Sequence, residues 1–362
     1  MKPNKSIHTG SLLATLALSV CCATAADKFD KDPKHQLPKP DTKAADLTKP
    51  VKVFILMGQS NMFGMGDVSP LTTKGTLEYL TKTEKRYPHL PDEAGAWTAR
   101  SDVRYVQVMP GKMGGMQVLH NEWLTVKGKT IGPEVQFGYI IGHVLDEPVL
   151  ILKSCIGNRS LGWDLLPPGS ERFTVDGKTY AGYKDTPDAW VEGQPKKEVA
   201  WYAGKQYDDD MANAKKVLGE IGKYYPGAEK YEVAGFVWWQ GHKDQDAVHA
   251  ARYEQNLVNL IKSLRKDYNV PNAPFVLAVG CGNPGRESFG LQIAEAQLAM
   301  NDTRKHPEFT GNVKCVDSRE FWREVDVSPK NQGYHYNRNA ETFMEVGNAL
   351  GWAMAELLKN QK

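Results

Sequence analysis

The sequence predicts an α/β fold built on a mostly parallel sheet with helices on both faces. Five short runs are apolar almost without interruption: Val51 to Met57, Pro148 to Lys153, Val233 to Trp239, Pro274 to Gly280 and Val313 to Asp317. Such runs are the pattern of strands covered on both faces, hence of a parallel sheet. Segments of helical periodicity lie between them. The first run ends in Gly58-Gln59-Ser60-Asn61, a glycine break followed by polar residues. That places Ser60 just beyond the carboxyl end of a strand, where open α/β sheets hold their ligands.

Taken in order, residues 1–25 read as a secretory signal. Lys2 and Lys5 form a basic start, Ser11 to Val20 is apolar, and Ala23-Thr24-Ala25 fits a cleavage site. The apolar run is too short to span a bilayer. The expected location is secreted or periplasmic. Leu18-Ser19-Val20-Cys21 is a loose lipobox, and the bulk of Val20 argues against a lipid anchor. Residues 26–50, rich in Lys, Asp and Pro, read as an extended or disordered linker. Residues 51–362 then form one domain with insertions. No later apolar run reaches membrane-spanning length, so no integral membrane segment is expected after cleavage.

The chain has 45 basic and 43 acidic residues, and removing Lys2 and Lys5 with the signal balances them. Nothing in that balance suggests a nucleic-acid partner or a polybasic membrane patch. Cys155, Cys281 and Cys315 remain after cleavage. An odd number spread over a large domain is no disulfide scaffold, and all three are expected as buried free thiols.

Val103 to Val108 is a weaker sixth strand. Helices are expected from Gly132-Pro133-Glu134 to Leu145, over Asp208 to Tyr224, over Ala247 to Lys266, over Gln292 to Met300, and after Asn339 as N-cap. Two long stretches break the alternation. Ser69 to Lys129 contains Met109 to Gly115, which reads as a flexible loop. Gly162 to Gln206 carries Trp163, Tyr180, Tyr183, Trp190, Trp201 and Tyr202. Those aromatics either stack on sugar rings or pack the insertion onto the body.

Ser60 reads as a nucleophile or as an ordinary helix N-cap. A nucleophilic serine needs a base. Of the histidines, His335 lies between the last strand and the last helix, on Ser60's side of the sheet; the others lie in the leader, the linker, a helix or unsupported loops. A serine near the start and a histidine near the end meet only through the fold, as in catalytic triads. Asp244, Asp246 and His249 are close in sequence but lack metal-ligand spacing, and no dinucleotide fingerprint or P-loop occurs. No metal and no cofactor are expected.

Gly58-Gln59-Ser60-Asn61-Met62 resembles the nucleophile motif of the sialate O-acetylesterase-like branch of SGNH hydrolases, which includes carbohydrate esterase family six. Three further pieces follow in the same order. Lys153 to Leu161 resembles the segment whose glycine donates to the oxyanion. Trp239-Gln240-Gly241-His242-Lys243-Asp244 resembles the family's Trp-Gln-Gly-Glu-x-Asp. His335, with Gly347 and Gly351 after it, resembles the block carrying the catalytic histidine. The resemblance covers about Val51 to Leu358. It implies a three-layer α/β/α SGNH (flavodoxin-like) fold with a mostly parallel five-stranded sheet.

By the same resemblance, Ser60 is the nucleophile and His335 the general base. The oxyanion donors would be the N–H groups of Ser60 and Gly157 and the side-chain amide of Gln240. Two departures stand out. Gln332 occupies the position of the family's aspartate three residues before the histidine, and His242-Lys243 replaces a glutamate and a small residue. A glutamine cannot stabilise imidazolium by charge. An acid then has to come from elsewhere, with Asp317 first and Asp244 and Asp326 after it, or the site works as a Ser–His dyad. The implied function is a secreted serine esterase releasing acetate from an acetylated carbohydrate through an acyl-serine. The alternatives are an inactive carbohydrate-binding homologue and an esterase for a non-carbohydrate ester.

Overall fold

The computed structural model describes residues 37–361 apart from 41, 281, 284 and 285. The signal, the first part of the linker and Cys281 lie outside these residues. Seven strands form the main sheet: β1 (Val51–Gly58), β2 (Val103–Pro110), β3 (Met116–Trp123), β4 (Val149–Ser154), β5 (Tyr231–Trp239), β6 (Phe275–Val279) and β7 (Val313–Asp317). Their order across the sheet is β7-β6-β5-β1-β4-β2-β3. All neighbours are parallel except β2 and β3.

The five expected strands and the weaker sixth are present, so the count of five is corrected to seven. The seventh strand, β3, is an edge strand that is largely exposed or half-buried. An edge strand paired antiparallel and wetted by solvent needs no apolar run, so it left no such signature. Met109 and Pro110 end β2, and the rest of the expected flexible loop is the turn of the β2–β3 hairpin. Gly111 N–H there donates to the Gly115 carbonyl at 2.8 Å.

β1 sorts its side chains between two cores. Val51, Val53, Ile55 and Met57 join the helices α3 (Lys205–Gly219), α4 (Ala247–Asp267) and α5 (Ser288–Ala299). Phe54 and Leu56 face α2 (Glu134–Val144) and α6 (Ala340–Lys359). The period-two alternation of a strand thus fills both outer layers, and the architecture is three-layered α/β/α. Asp246 caps α4 by accepting from the Val248 and His249 N–H groups, each at 3.0 Å. Asn339 caps α6, accepting from Glu341 N–H at 3.0 Å. Leu37 is buried in the second core, and the other described residues of 38–50 are exposed or half-buried. Among the described residues, no helix is long and apolar enough to cross a membrane.

The strand order places a topological switch at β1. Its neighbours β4 and β5 are reached by connections that run to opposite halves of the sheet, and their carboxyl ends open a crevice around the end of β1. Ile55 is fully buried in the middle of β1. Ile55→Ala is expected to lower the unfolding free energy by about 2–5 kcal/mol. Denaturant unfolding checks this, as a shifted midpoint at unchanged slope.

Candidate active site

The crevice is built from the ends of β1, β4 and β5. Gly58 closes β1 with φ at 151°, and a Cβ there would lie 2.1 Å from the Trp239 carbonyl oxygen. Only glycine lets the ends of β1 and β5 approach this closely. The chain then makes one helical turn, α1 (Ser60–Phe63), closed by Phe63 N–H on the Gln59 carbonyl and Gly64 N–H on the Ser60 carbonyl. Gln59, not Ser60, occupies the N-cap position, and no side chain caps the turn. The Ser60 hydroxyl is therefore not used as a cap. It lies 2.8 Å from Nε2 of His335, across 275 residues of sequence.

His335 is carried by an unusual backbone. His335, Tyr336, Asn337 and Arg338 have φ of 49°, 49°, 51° and 61°. This is one turn of left-handed helix in four residues that carry side chains, at roughly 1–2 kcal/mol of strain each. Neighbouring groups hold it. The buried Asn337 accepts from the N–H groups of Gln332 (3.3 Å) and Gly333 (3.0 Å) and donates to the Arg323 carbonyl (3.1 Å). Tyr336 N–H donates to the Gly282 carbonyl at 3.1 Å, and its hydroxyl meets Ser318 Oγ at 2.7 Å. Neither Asn337 nor Tyr336 was singled out in the sequence, because αL geometry in non-glycine residues leaves no local pattern.

Burial lowers the His335 pKa from 6.5 to about 4, and the neighbouring His242 and Arg338 push the same way. Its imidazole is neutral at pH 7, as a base must be. The Tyr334 ring packs edge-on against it at 4.7 Å.

Among the described residues, His335 has no hydrogen bond to a carboxylate. Asp317 caps its own turn and grips the Arg319 guanidinium at 2.8 and 2.5 Å. Asp326 is exposed in the turn Val325–Val327. Asp244 is fully buried elsewhere, accepting from the N–H groups of Leu161 (2.8 Å) and Gly162 (2.7 Å) and from Gln240 Nε2 (2.5 Å). Burial raises its pKa, opposed by His249 and these donors. Asp317 and Asp244 are thus held by other partners, and Asp326 is exposed to solvent. Gln332 donates its amide to the Tyr334 carbonyl at 2.9 Å instead of meeting the imidazole.

The oxyanion groups divide. Gly157 follows β4, and a Cβ on it would stand 3.7 Å from Ser60 Cβ, so its loop faces the serine. Gln240 lies beside them, but its amide N–H groups go to Asp244, the Arg159 carbonyl (2.9 Å) and Gln59 Oε1 (3.1 Å). Its two protons are spent within the protein. What Gln240 does here is lock three loops together: Gln59 of the serine turn, Arg159 of the Gly157 loop, and Asp244. Asp246 and His249, which lie close to Asp244 in sequence, bond to each other at 2.5 Å.

The aromatic insertion folds as a three-stranded sheet, Phe173–Val175, Lys178–Tyr180 and Ala189–Val191. Its aromatics fasten it down. The Tyr183 and Tyr202 hydroxyls both donate to Asp208 in α3, at 2.5 and 2.9 Å. Trp190 is buried, and Trp201 lies under the Arg159 guanidinium at 4.8 Å. These contacts support packing, one of the two readings, for Tyr183, Trp190, Trp201 and Tyr202. Cys155 and Cys315 are free thiols, Cys155 buried and Cys315 half-buried.

A three-layer α/β/α protein with a serine–histidine pair at the carboxyl edge of its sheet falls in the class of α/β hydrolytic enzymes. Residues 50–356 match the family model for carbohydrate esterases, sialic acid-specific acetylesterase, and the chain belongs to this family. An Arabidopsis thaliana protein described as "Probable carbohydrate esterase" is 32% identical over 90 residues. That match spans 24% of this chain and 30% of the relative's length. A solved Arabidopsis thaliana structure aligns with TM-score 0.48 at 18% identity, over 84% of this chain and 98% of that one. A carbohydrate acetylesterase from Xanthomonas citri aligns with TM-score 0.46 at 13% identity, over 83% and 55%.

The depressed pKa of His335 has a defined sign. Between pH 6.5 and 4 the unfolded chain binds a proton at this histidine that the folded chain refuses. Stability is complete above about pH 6.5 and falls as pH drops through this window. Buried His89, also lowered to about 4, adds in the same direction. A two-dimensional NMR titration is expected to show the His335 imidazole with a midpoint near 4, its resonance missing in His335→Ala.

Proposed function

We propose that this protein is a serine esterase that removes acetyl groups from carbohydrate through an acyl-serine intermediate. One observation carries the reading: Ser60 Oγ and His335 Nε2 lie at hydrogen-bond distance at the carboxyl edge of the sheet. With its proton on Nδ1, the imidazole accepts the Ser60 O–H through Nε2. Oγ then adds to the acetyl carbonyl carbon as the proton passes to Nε2. The N–H groups of Ser60 and Gly157 would receive the new oxyanion, each donor contributing a few kcal/mol. As the intermediate collapses, the imidazolium returns its proton to the departing sugar oxygen. Water repeats the cycle to release acetate.

In this scheme the pair acts as a Ser–His dyad. Among the described residues no carboxylate is placed to stabilise the imidazolium, which forms beside His242 and Arg338. The substrate assignment rests on family membership, which supports an acetylated glycan. Secretion is proposed from the signal-like residues 1–25.

A second reading, a glycan-binding homologue without turnover, is favoured by a single feature: Gln332 bonds to the Tyr334 carbonyl instead of the histidine, and among the described residues no acid takes its place.

Hydrolysis of a small activated acetate ester separates the two. Ser60→Ala and His335→Ala are each expected to lose at least ~10³-fold in kcat/KM. The wild-type acid limb is expected near pH 4, following the His335 pKa. Equal inactivity of wild type and both variants, together with glycan binding, would establish the second reading.

A further inference from the structure

Lys153 is a charged residue with no exposed surface, in a strand that is buried throughout. All three ammonium protons are placed. They go to the Met62 and Phe63 carbonyls, each at 3.0 Å, and to Glu134 Oε2 at 2.7 Å. The other oxygen of Glu134 accepts from Gly132 N–H at 2.9 Å. Met62 and Phe63 end the single turn that begins at Ser60, and their carbonyls have no helical partner because the turn stops there. Lys153 also sits four residues before Gly157, at the end of β4.

The surrounding packing leaves no slack. A Cβ on Gly132 would meet Glu134 Oε2 at 2.4 Å and the Met62 carbonyl at 3.0 Å, and one on Gly64 would meet Gly132 N at 2.8 Å. One ammonium therefore ties the serine turn, the strand leading to the Gly157 loop and the start of α2 to one point. A hydrophobic side chain would fill the same volume without this cross-link.

We infer that Lys153 and Glu134 form a positioning clamp that fixes the Ser60 turn against the Gly157 loop, and so sets the spacing of their two N–H groups. Neither residue touches the reacting atoms. The kinetic consequence rests on the esterase reading, whereas the mechanical one does not. With the clamp gone, the serine turn keeps its sequence and its histidine but loses its fixed distance to the facing N–H. Oxyanion stabilisation depends on that distance, and displacements of about 1 Å can cost roughly 100-fold in rate.

The test compares wild type with Lys153→Met/Glu134→Leu, which removes both buried charges together so that neither is left unpaired. Glu134→Gln serves as a milder variant should the double one not fold, and Lys153→Arg as the conservative one. Thermal unfolding first establishes which variants are folded. Hydrogen exchange then reads the clamp directly. Amides 60–64 are expected to exchange at least ~10-fold faster while those of β5 and β6 do not change. On the activated acetate ester, kcat is expected to fall roughly 100-fold in the double variant, with KM within about twofold. Lys153→Arg should recover part of that loss.

Unchanged exchange at residues 60–64 in the folded double variant, or in Glu134→Gln where the double one does not fold, overturns the clamp, as does wild-type kcat in the folded double variant. If wild-type protein hydrolyses no ester, the esterase reading fails on that result alone, and the exchange measurement still decides the clamp.

Discussion

Four consecutive residues with side chains, His335 to Arg338, lie in the left-handed region of backbone space, and the serine–histidine contact depends on their being held there. At roughly 1–2 kcal/mol each, an isolated peptide would not adopt this turn. It persists because Asn337 is buried with its amide satisfied on three backbone groups. Tyr336 is anchored at its N–H and at its hydroxyl. Strain concentrated in this way is common at functional sites, where the surrounding fold over-determines a costly conformation. Here its product is an imidazole aimed at a hydroxyl on the opposite side of the crevice.

The electrostatics of that imidazole follow from its neighbours. Burial and the neighbouring His242 and Arg338 depress its basicity, and three carboxylates of the sheet edge and its loops are held by other partners. Asp317 holds Arg319, Asp67 holds Arg338, and Asp244 gathers backbone N–H groups of the loop after Gly157. A weak base is neutral over a wide pH range, but it gains less when it accepts a proton. Among the described residues no acid meets the imidazole, and its ring packs edge-on against Tyr334.

The site is also braced from below and from the side. Gln240 ties the serine turn to the Gly157 loop and to Asp244, and Lys153 reaches the far end of the same turn. The insertion between β4 and α3 is pinned through two tyrosine hydroxyls on Asp208. Buried polar groups with all their partners present give a unique geometry, whereas a partly satisfied network would cost stability.

The sequence alone determined the layers, most strands, every main helix and the approximate site. Near-continuous apolar runs and a 3.6-residue stripe are local signals, and Gly58, Asp246 and Asn339 mark breaks and caps with their own chemistry. Ser60 and His335 were legible because each follows a strand-like run and fits a motif. β3 was not, since a solvated edge strand has no apolar run to read. The acid was not legible either: Asp317 ends a strand as an acid should, yet an arginine two residues away in sequence captures it. Gln240 matched its motif, but only the fold shows that its amide is consumed by a buried carboxylate. Lys153 lay in plain view as one charge in an apolar strand, with nothing local to name its partners. Those partners are 19 and about 90 residues distant. Which polar groups meet, and at what backbone strain, is set by long-range packing, and only the tertiary structure decides it.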